Sequence, residues 1–182
     1  MNSGESSYRR FLDGDKSGFD EIMDMFHAPL VSFVKRYVGS EADAEDIAAD
    51  TFLELLIHPA RFSFKCSLKT YIYSVARNRA VDFMRKRRRQ IFDFDFSTVP
   101  DDDVSSEDAA VADERRRAIG DALKKINGEY AEVLYLLYIE GIDKEQVMRI
   151  TKKNNRQLSN IVYRAKAAMK KELSGSGFIY EE

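Results

Sequence analysis

Residues 142–165 read IDKEQVMRITKKNNRQLSNIVYRA, and the two halves of that stretch carry the same start signal. Ile142 precedes a capping residue, Asp143, with Gln146 three positions past the cap and Val147 placed to close a hydrophobic staple on Ile142. A short helix begins there. Lys152-Lys153-Asn154 interrupts it, and Asn154 with Gln157 repeats the cap and return for a second helix. Two short helices joined by a tight turn are the grammar of a helix-turn-helix.

In the second of these helices Leu158, Ile161, Val162, Ala165 and Met169 share one face, which leaves Arg156, Asn160, Tyr163, Ala167 and Lys170 on the other, flanked by Ser159 and Arg164. That outer face suits a DNA major groove. Arginine can make two hydrogen bonds to guanine and asparagine two to adenine, so Arg156 and Asn160, near the helix start, suit base reading. Lys152, Lys153, Arg164, Lys166, Lys170 and Lys171 suit phosphates. A helical hairpin with a solvated basic face would have the same composition.

Upstream, Ile119, Leu123 and Ile126 mark a short helix, Asn127 caps the next, and Tyr130, Val133, Leu134 and Leu137 give that one its buried face before Gly141 stops it. Further back the charges are sorted into blocks. Residues 1–60 hold 12 acids against 5 bases, 61–90 hold 10 bases against Asp82 alone, 91–114 hold 9 acids and no base, and 144–171 hold 9 bases against Glu145 alone. The net charge of −2 averages this pattern away. Two basic blocks separated by an acidic stretch are the pattern of two contacts on one long polyanion, joined by a connector that avoids it.

The acidic stretch, with Asp101-Asp102-Asp103, Ser105-Ser106 and little apolar periodicity, reads as a flexible linker. The chain is therefore expected to be all-α: a helical domain over 1–90, a linker over 91–114, a helix-turn-helix domain over 115–173 and a tail over 174–182. In the first domain Phe19, Ile22, Met23, Phe26, Leu30, Phe33, Val34 and Tyr37 recur at helical spacing, with Pro29 expected to kink that helix or to start another. A second helix is capped by Ser40 and carries Ala44, Ile47, Ala48, Phe52, Leu55 and Leu56 inward, with Glu45, Asp46, Asp50 and Glu54 on its other face. A third, from about Leu68, carries Ile72, Val75, Ala76 and Phe83 inward and ends in Arg85-Lys86-Arg87-Arg88-Arg89. Before it and along its first turns, Phe62, Phe64, Tyr71 and Tyr73 interleave with Arg61, Lys65 and Lys69, and stacking rings beside cations are what single-stranded bases need. Packing of the loop against the domain would use the same rings.

Composition excludes several classes. The longest apolar run, Val133 to Ile139, is seven residues, against the roughly 20 of a membrane span. The polar start of the chain lacks the apolar stretch of a signal peptide, so a cytoplasmic protein is expected. Cys66 stands alone and reads as a small packing residue; with His27 and His58 the only histidines, no metal or other cofactor is expected. A nuclease or recombinase lacks support, because the carboxylates gather on one helix and in the linker and no glycine-rich phosphate loop is present. A free-standing helix-turn-helix regulator accounts for 143–171 but gives the first domain no task.

The ordered series Asp43-Ala44-Glu45-Asp46-Ile47, Thr51-Phe52-Leu53 and Tyr71-Ile72-Tyr73-Ser74-Val75-Ala76-Arg77-Asn78, followed by Asp82 and Arg85, resembles the promoter-opening domain of the extracytoplasmic-function sigma factors. Ala122-Leu123, Leu134, Tyr138, Glu140-Gly141 and the stretch to Tyr163-Arg164-Ala165-Lys166 resemble the same family's upstream-element domain. Tyr71 stands where that family commonly has tryptophan, Met148 where its helix-turn-helix has alanine, and Lys152 where its turn has glycine. The resemblance implies a non-enzymatic protein whose partners are core RNA polymerase, promoter DNA as duplex and as non-template single strand, and an inhibitory anti-sigma factor, without membrane insertion. It implies polymerase contacts at Asp43, Glu45, Asp46, Asp50, Phe52 and Glu54. Phe62, Phe64, Lys65, Lys69, Tyr71, Tyr73, Arg77, Asn78 and Arg85 would take the −10 element as single strand. Arg156, Gln157, Ser159, Asn160, Tyr163 and Arg164 would read the −35 element. The linker would thread a basic polymerase channel.

Overall fold

A computed structural model describes residues 4–87 and 109–175. All regular structure among them is helical, as the apolar periodicity requires. They form two compact units: residues 4–87 together with Ile142–Lys153, and residues 109–141 together with 154–175.

The first unit contains α1 (Glu5–Leu12), α2 (Ser17–Val38), α3 (Glu41–Ile57), a single 3₁₀ turn (Pro59–Arg61), α4 (Leu68–Lys86) and α7 (Lys144–Thr151). Its core is built from one stripe per helix. Ile22, Phe26, Leu30, Phe33 and Val34 of α2 meet Ala44, Ala48, Phe52 and Leu55 of α3 and Leu68, Ile72, Ala76 and Ala80 of α4, all buried. Each large apolar side chain so enclosed contributes about 1.5–3 kcal/mol. Pro29 neither splits α2 nor starts a new helix, and α2 runs through it to Val38. The buried stripe continues on both sides of the proline, so packing on α3 and α4 holds the helix across the missing backbone donor. Ser40 Oγ accepts from Asp43 N, which starts α3 where the sequence placed it.

Two features of this unit differ from expectation. The polar start of the chain forms α1, whose Tyr8 is wholly buried. α1 crosses α2 backbone to backbone at Gly18, where an added Cβ would fall 2.2 Å from the Ser7 carbonyl oxygen. The second difference is α7, which the sequence places in a continuous 115–173 domain and which here packs on α4. Asp143 caps it through Gln146 N, and Ile142 and Val147 are both buried. The Gln146 side chain does not return to the cap; its Oε1 lies 3.0 Å from Ser67 Oγ and 2.5 Å from Thr70 Oγ1, and Arg149 donates to the Lys65 carbonyl.

The second unit contains α5 (Ala109–Lys125), α6 (Gly128–Leu134), a π-helical turn (Tyr135–Ile139) and α8 (Asn155–Gly175). α5 begins inside the 91–114 linker read from the sequence; the rest of that linker, to 108, and the tail beyond 175 lie outside the described residues. Asn127 caps α6 by accepting from Glu129 N. The helix then widens rather than running regularly to Gly141, with Glu140 N bonding back to the Tyr135 carbonyl. α6 packs on α8, and Ala131, Val133, Leu134, Tyr135 and Leu136 are buried with Leu158, Ile161, Ala165 and Leu173 in this unit's core.

Candidate nucleic-acid interface

The 3₁₀ turn and the residues up to Ser67 connect α3 to α4 and carry the first candidate site. Phe62 is buried, its ring 4.6 Å from that of Phe64 and 5.2 Å from that of Tyr71. Phe64 is half-buried and sits at φ 57°, a left-handed conformation that costs about 1–2 kcal/mol for a residue with a Cβ. The Arg9 guanidinium lies 4.2 Å over its ring. Such a conformation persists where its surroundings over-determine it, as the rings of Phe62 and Tyr8 and the Arg9 cation do here. Lys65 is exposed, and Lys69 and Tyr71 are half-buried.

Two of the predicted stacking rings are core residues instead. Tyr73 is wholly buried, 4.9 Å from the Phe33 ring, with the Lys69 ammonium 5.5 Å from its centroid, so neither face is open to a base. Phe62 is closed in by Tyr8, Phe64 and Tyr71. The inward face of α4 runs through Leu68, Ile72, Ala76, Ala80 and Met84 at steps of four, with Tyr73 beside it, and leaves Val75 and Phe83 half-buried, the latter under Arg87 at 4.4 Å. Arg77 and Asn78 are half-buried farther along α4, and Arg85 is exposed and paired with Asp82 at 2.9 Å.

Tyr8, which sequence reasoning passed over, belongs to this site. Its hydroxyl donates to the Leu55 carbonyl at 3.0 Å, and burial, with a smaller contribution from Tyr71, pushes its pKa up to about 12. Its signal was present in Tyr8, Phe11 and Leu12, spaced three and four apart. Cys66 is half-buried, and burial pushes its thiol up, as a packing residue requires.

On α3 the predicted polymerase contacts separate into groups. Phe52 is buried, its ring facing His27, and is a core residue rather than a contact. Glu54 is largely enclosed and accepts from Arg61 at 2.9 Å and Arg79 at 2.6 Å; burial raises its pKa, and the two guanidiniums outweigh that and hold it below the usual carboxylate value. Asp43 pairs with Arg87 at 2.9 Å, and Glu45 lies 3.1 Å from His27 Nε2. Asp46 and Asp50 are exposed, and they share their face with Leu53 and Ile57, 48% and 59% exposed, at spacings of four, three and four. Leu56, read as inward, is also exposed. The signal missed was an excess: α3 carries more large apolar side chains than one buried stripe can hold.

The second candidate site lies on α8, where the face read as apolar is turned inward and the named polar residues are exposed. Arg156, Gln157, Ser159, Asn160, Tyr163 and Arg164 are all exposed, Tyr163 by 78%, while Leu158, Ile161 and Ala165 are buried behind them. Gln157 also closes a reciprocal cap, its N donating to Asn154 Oδ1 and its Oε1 accepting from Asn154 N, each at 2.9 Å. Before α8, Lys152 takes the left-handed conformation, φ 57°, that favours glycine.

The family model for Sigma-70 region 2 matches residues 22–90, from α2 through the loop and α4. The chain is 25% identical to the ECF RNA polymerase sigma factor SigW of Bacillus subtilis, over 88% of this chain and 91% of that protein. It is also 25% identical to SigX of the same organism, over 85% and 83% respectively. Its fold resembles that of the sigma factor RpoE of Bartonella quintana, solved in complex with the anti-sigma factor NepR, at 20% identity and a TM-score of 0.62 over 86% of this chain and 96% of that one. The matched region 2 carries the loop and α4, and an outward-facing basic helix, α8, follows it in the chain. The chain thus carries a match to Sigma-70 region 2 and is similar over most of its length to extracytoplasmic-function RNA polymerase sigma factors.

Proposed function

We propose that the chain directs core RNA polymerase to a particular set of promoters and assists their opening, without enzymatic chemistry of its own. The observation that carries the reading is the region 2 match, which falls on the stretch where rings and cations interleave between Phe62 and Arg85. Residues 1–90 would hold the polymerase and the −10 element, 91–114 would link, and 115–173 would hold the −35 element. The face of α3 formed by Asp46, Asp50, Leu53 and Ile57 is the polymerase contact: apolar area supplies affinity and the acids supply orientation against a basic partner surface.

At the −10 element, Phe64, Tyr71, Lys65 and Lys69 receive unstacked non-template bases and their phosphates, while Arg77, Asn78 and Arg85 follow the backbone. Phe62 and Tyr73 act from within, holding the shape of the loop. Extruding a base costs on the order of a few kcal/mol, which stacking of about 1–3 kcal/mol per base offsets. On α8, Arg156 and Asn160 read base edges, Tyr163 and Ser159 add contacts in the groove, and Gln157 and Arg164 lie beside the backbone. The work is done where core polymerase and promoter DNA are, in the cytoplasm, and an anti-sigma factor is the expected inhibitor. Among the described residues no helix is long and apolar enough to cross a membrane.

The test is single-round transcription with purified core polymerase, with and without this chain, on a library of promoter-like templates. A subset of templates transcribed only with both proteins present is the expected result. Duplex binding by the chain alone, with no gain for core polymerase, would instead make it a free-standing regulator.

A further inference from the structure

We propose that α1 is a brace for the single-strand site, with Glu5, Tyr8 and Arg9 as positioning residues that hold the α3–α4 connection in its DNA-receiving conformation. This rests on reading that connection as the −10 contact. Three contacts carry the proposal, and they fall at the beginning, middle and end of the connection.

At its beginning, the Tyr8 hydroxyl donates to the Leu55 carbonyl, in the last turn of α3, where carbonyls have no partner within the helix. In its middle, the Tyr8 ring lies 5.6 Å from Phe62 and 6.2 Å from Phe64, and the Arg9 guanidinium covers Phe64 at 4.2 Å. At its end, Glu5 Oε1 accepts from Leu68 N at 2.7 Å, and Leu68 is the first residue of α4, where backbone donors likewise lack partners. One eight-residue helix therefore joins the last turn of α3, the strained Phe64 and the first turn of α4.

The brace is itself anchored. Ser7 Oγ donates to Glu21, Arg10 pairs with Glu21 at 2.9 Å and Asp15 at 3.0 Å, and the close crossing at Gly18 sets the distance between α1 and α2. A helix that only filled the core would not need its polar groups aimed at the two ends of one connection.

The experiment measures three affinities: that of the chain for core polymerase, and those of the reconstituted holoenzyme for an upstream duplex fragment and for a single-stranded non-template oligonucleotide containing the −10 element. Glu5→Ala is expected to weaken the single-strand affinity about tenfold, on the scale of one hydrogen bond to a charged group. Glu5→Gln, which keeps the acceptor, is expected to restore most of it, and Tyr8→Phe and Arg9→Ala to weaken it selectively. Equal loss of all three affinities, or no loss of any, overturns the proposal. If Glu5→Ala fails to fold, Tyr8→Phe and Arg9→Ala decide the matter by the same pattern. Phe64→Ala and Lys65→Ala are the controls for the underlying reading. If neither alters single-strand affinity, the −10 assignment fails first.

Discussion

The α3–α4 connection and the outer face of α8 were both read from the sequence as DNA contacts, yet they are built in opposite ways. On α8 all six named residues point to solvent and the core lies wholly behind them. Around the connection, rings and charges are shared between site and core: Tyr73 and Phe62 are buried, Glu54 ties Arg61 to Arg79, and Arg9 covers Phe64. A face that enters a ready-made groove can be added to a finished helix. A site that must receive unstacked bases needs rings held in place, so part of the machinery is necessarily interior.

The largest effect that separates the two regions is a pair of tyrosine truncations. Tyr73→Ala is expected to cost about 3–5 kcal/mol of stability, as an aromatic core deletion does, and Tyr163→Ala less than about 0.5 kcal/mol while weakening duplex binding. Urea unfolding of both variants checks this; similar losses would erase the distinction.

A smaller effect is expected at Glu54. Glu54→Gln should cost about 1–2 kcal/mol, because two guanidiniums lose a charged acceptor, tempered by the exposure of Arg61. The lowered folded pKa gives the sign of the pH dependence. The carboxylate's contribution is complete above its ordinary value of 4.5 and fades as pH falls through the lower folded value, so the gap between wild type and variant closes below about pH 4.5. Thermal melts from pH 7 to 3 follow it. The smallest effect is at Lys152, where Lys152→Gly relieves a left-handed backbone and should stabilise by up to about 1 kcal/mol, read as a rise in Tm.

The same contrast explains what was legible in the sequence. Caps at Ser40, Asn127, Asp143 and Asn154 were readable because a cap is decided within four residues. The face of α8 was readable because it packs on one side only. α4 packs on α2 and α3 and also on α7, so periodicity alone could not tell Tyr73 from Tyr71. Gln146 shows the same limit: its spacing repeats that of Gln157, but its side chain is drawn to Ser67 and Thr70 by a contact about 80 residues back in the chain, whereas Gln157 closes its own cap. α1 escaped notice because its polar residues look like those of a solvated terminus and only Tyr8 among its eight residues is a buried ring.

The most direct test of the two-site account is the affinity of holoenzyme carrying either Arg156→Ala with Asn160→Ala, or Phe64→Ala with Tyr71→Ala, for an upstream duplex and for a single-stranded −10 oligonucleotide. The account predicts a crossed pattern: the α8 pair loses about 1–3 kcal/mol per contact on the duplex alone, and the ring pair about 1–3 kcal/mol per base on the single strand alone. Parallel losses on both DNAs from either pair would contradict it.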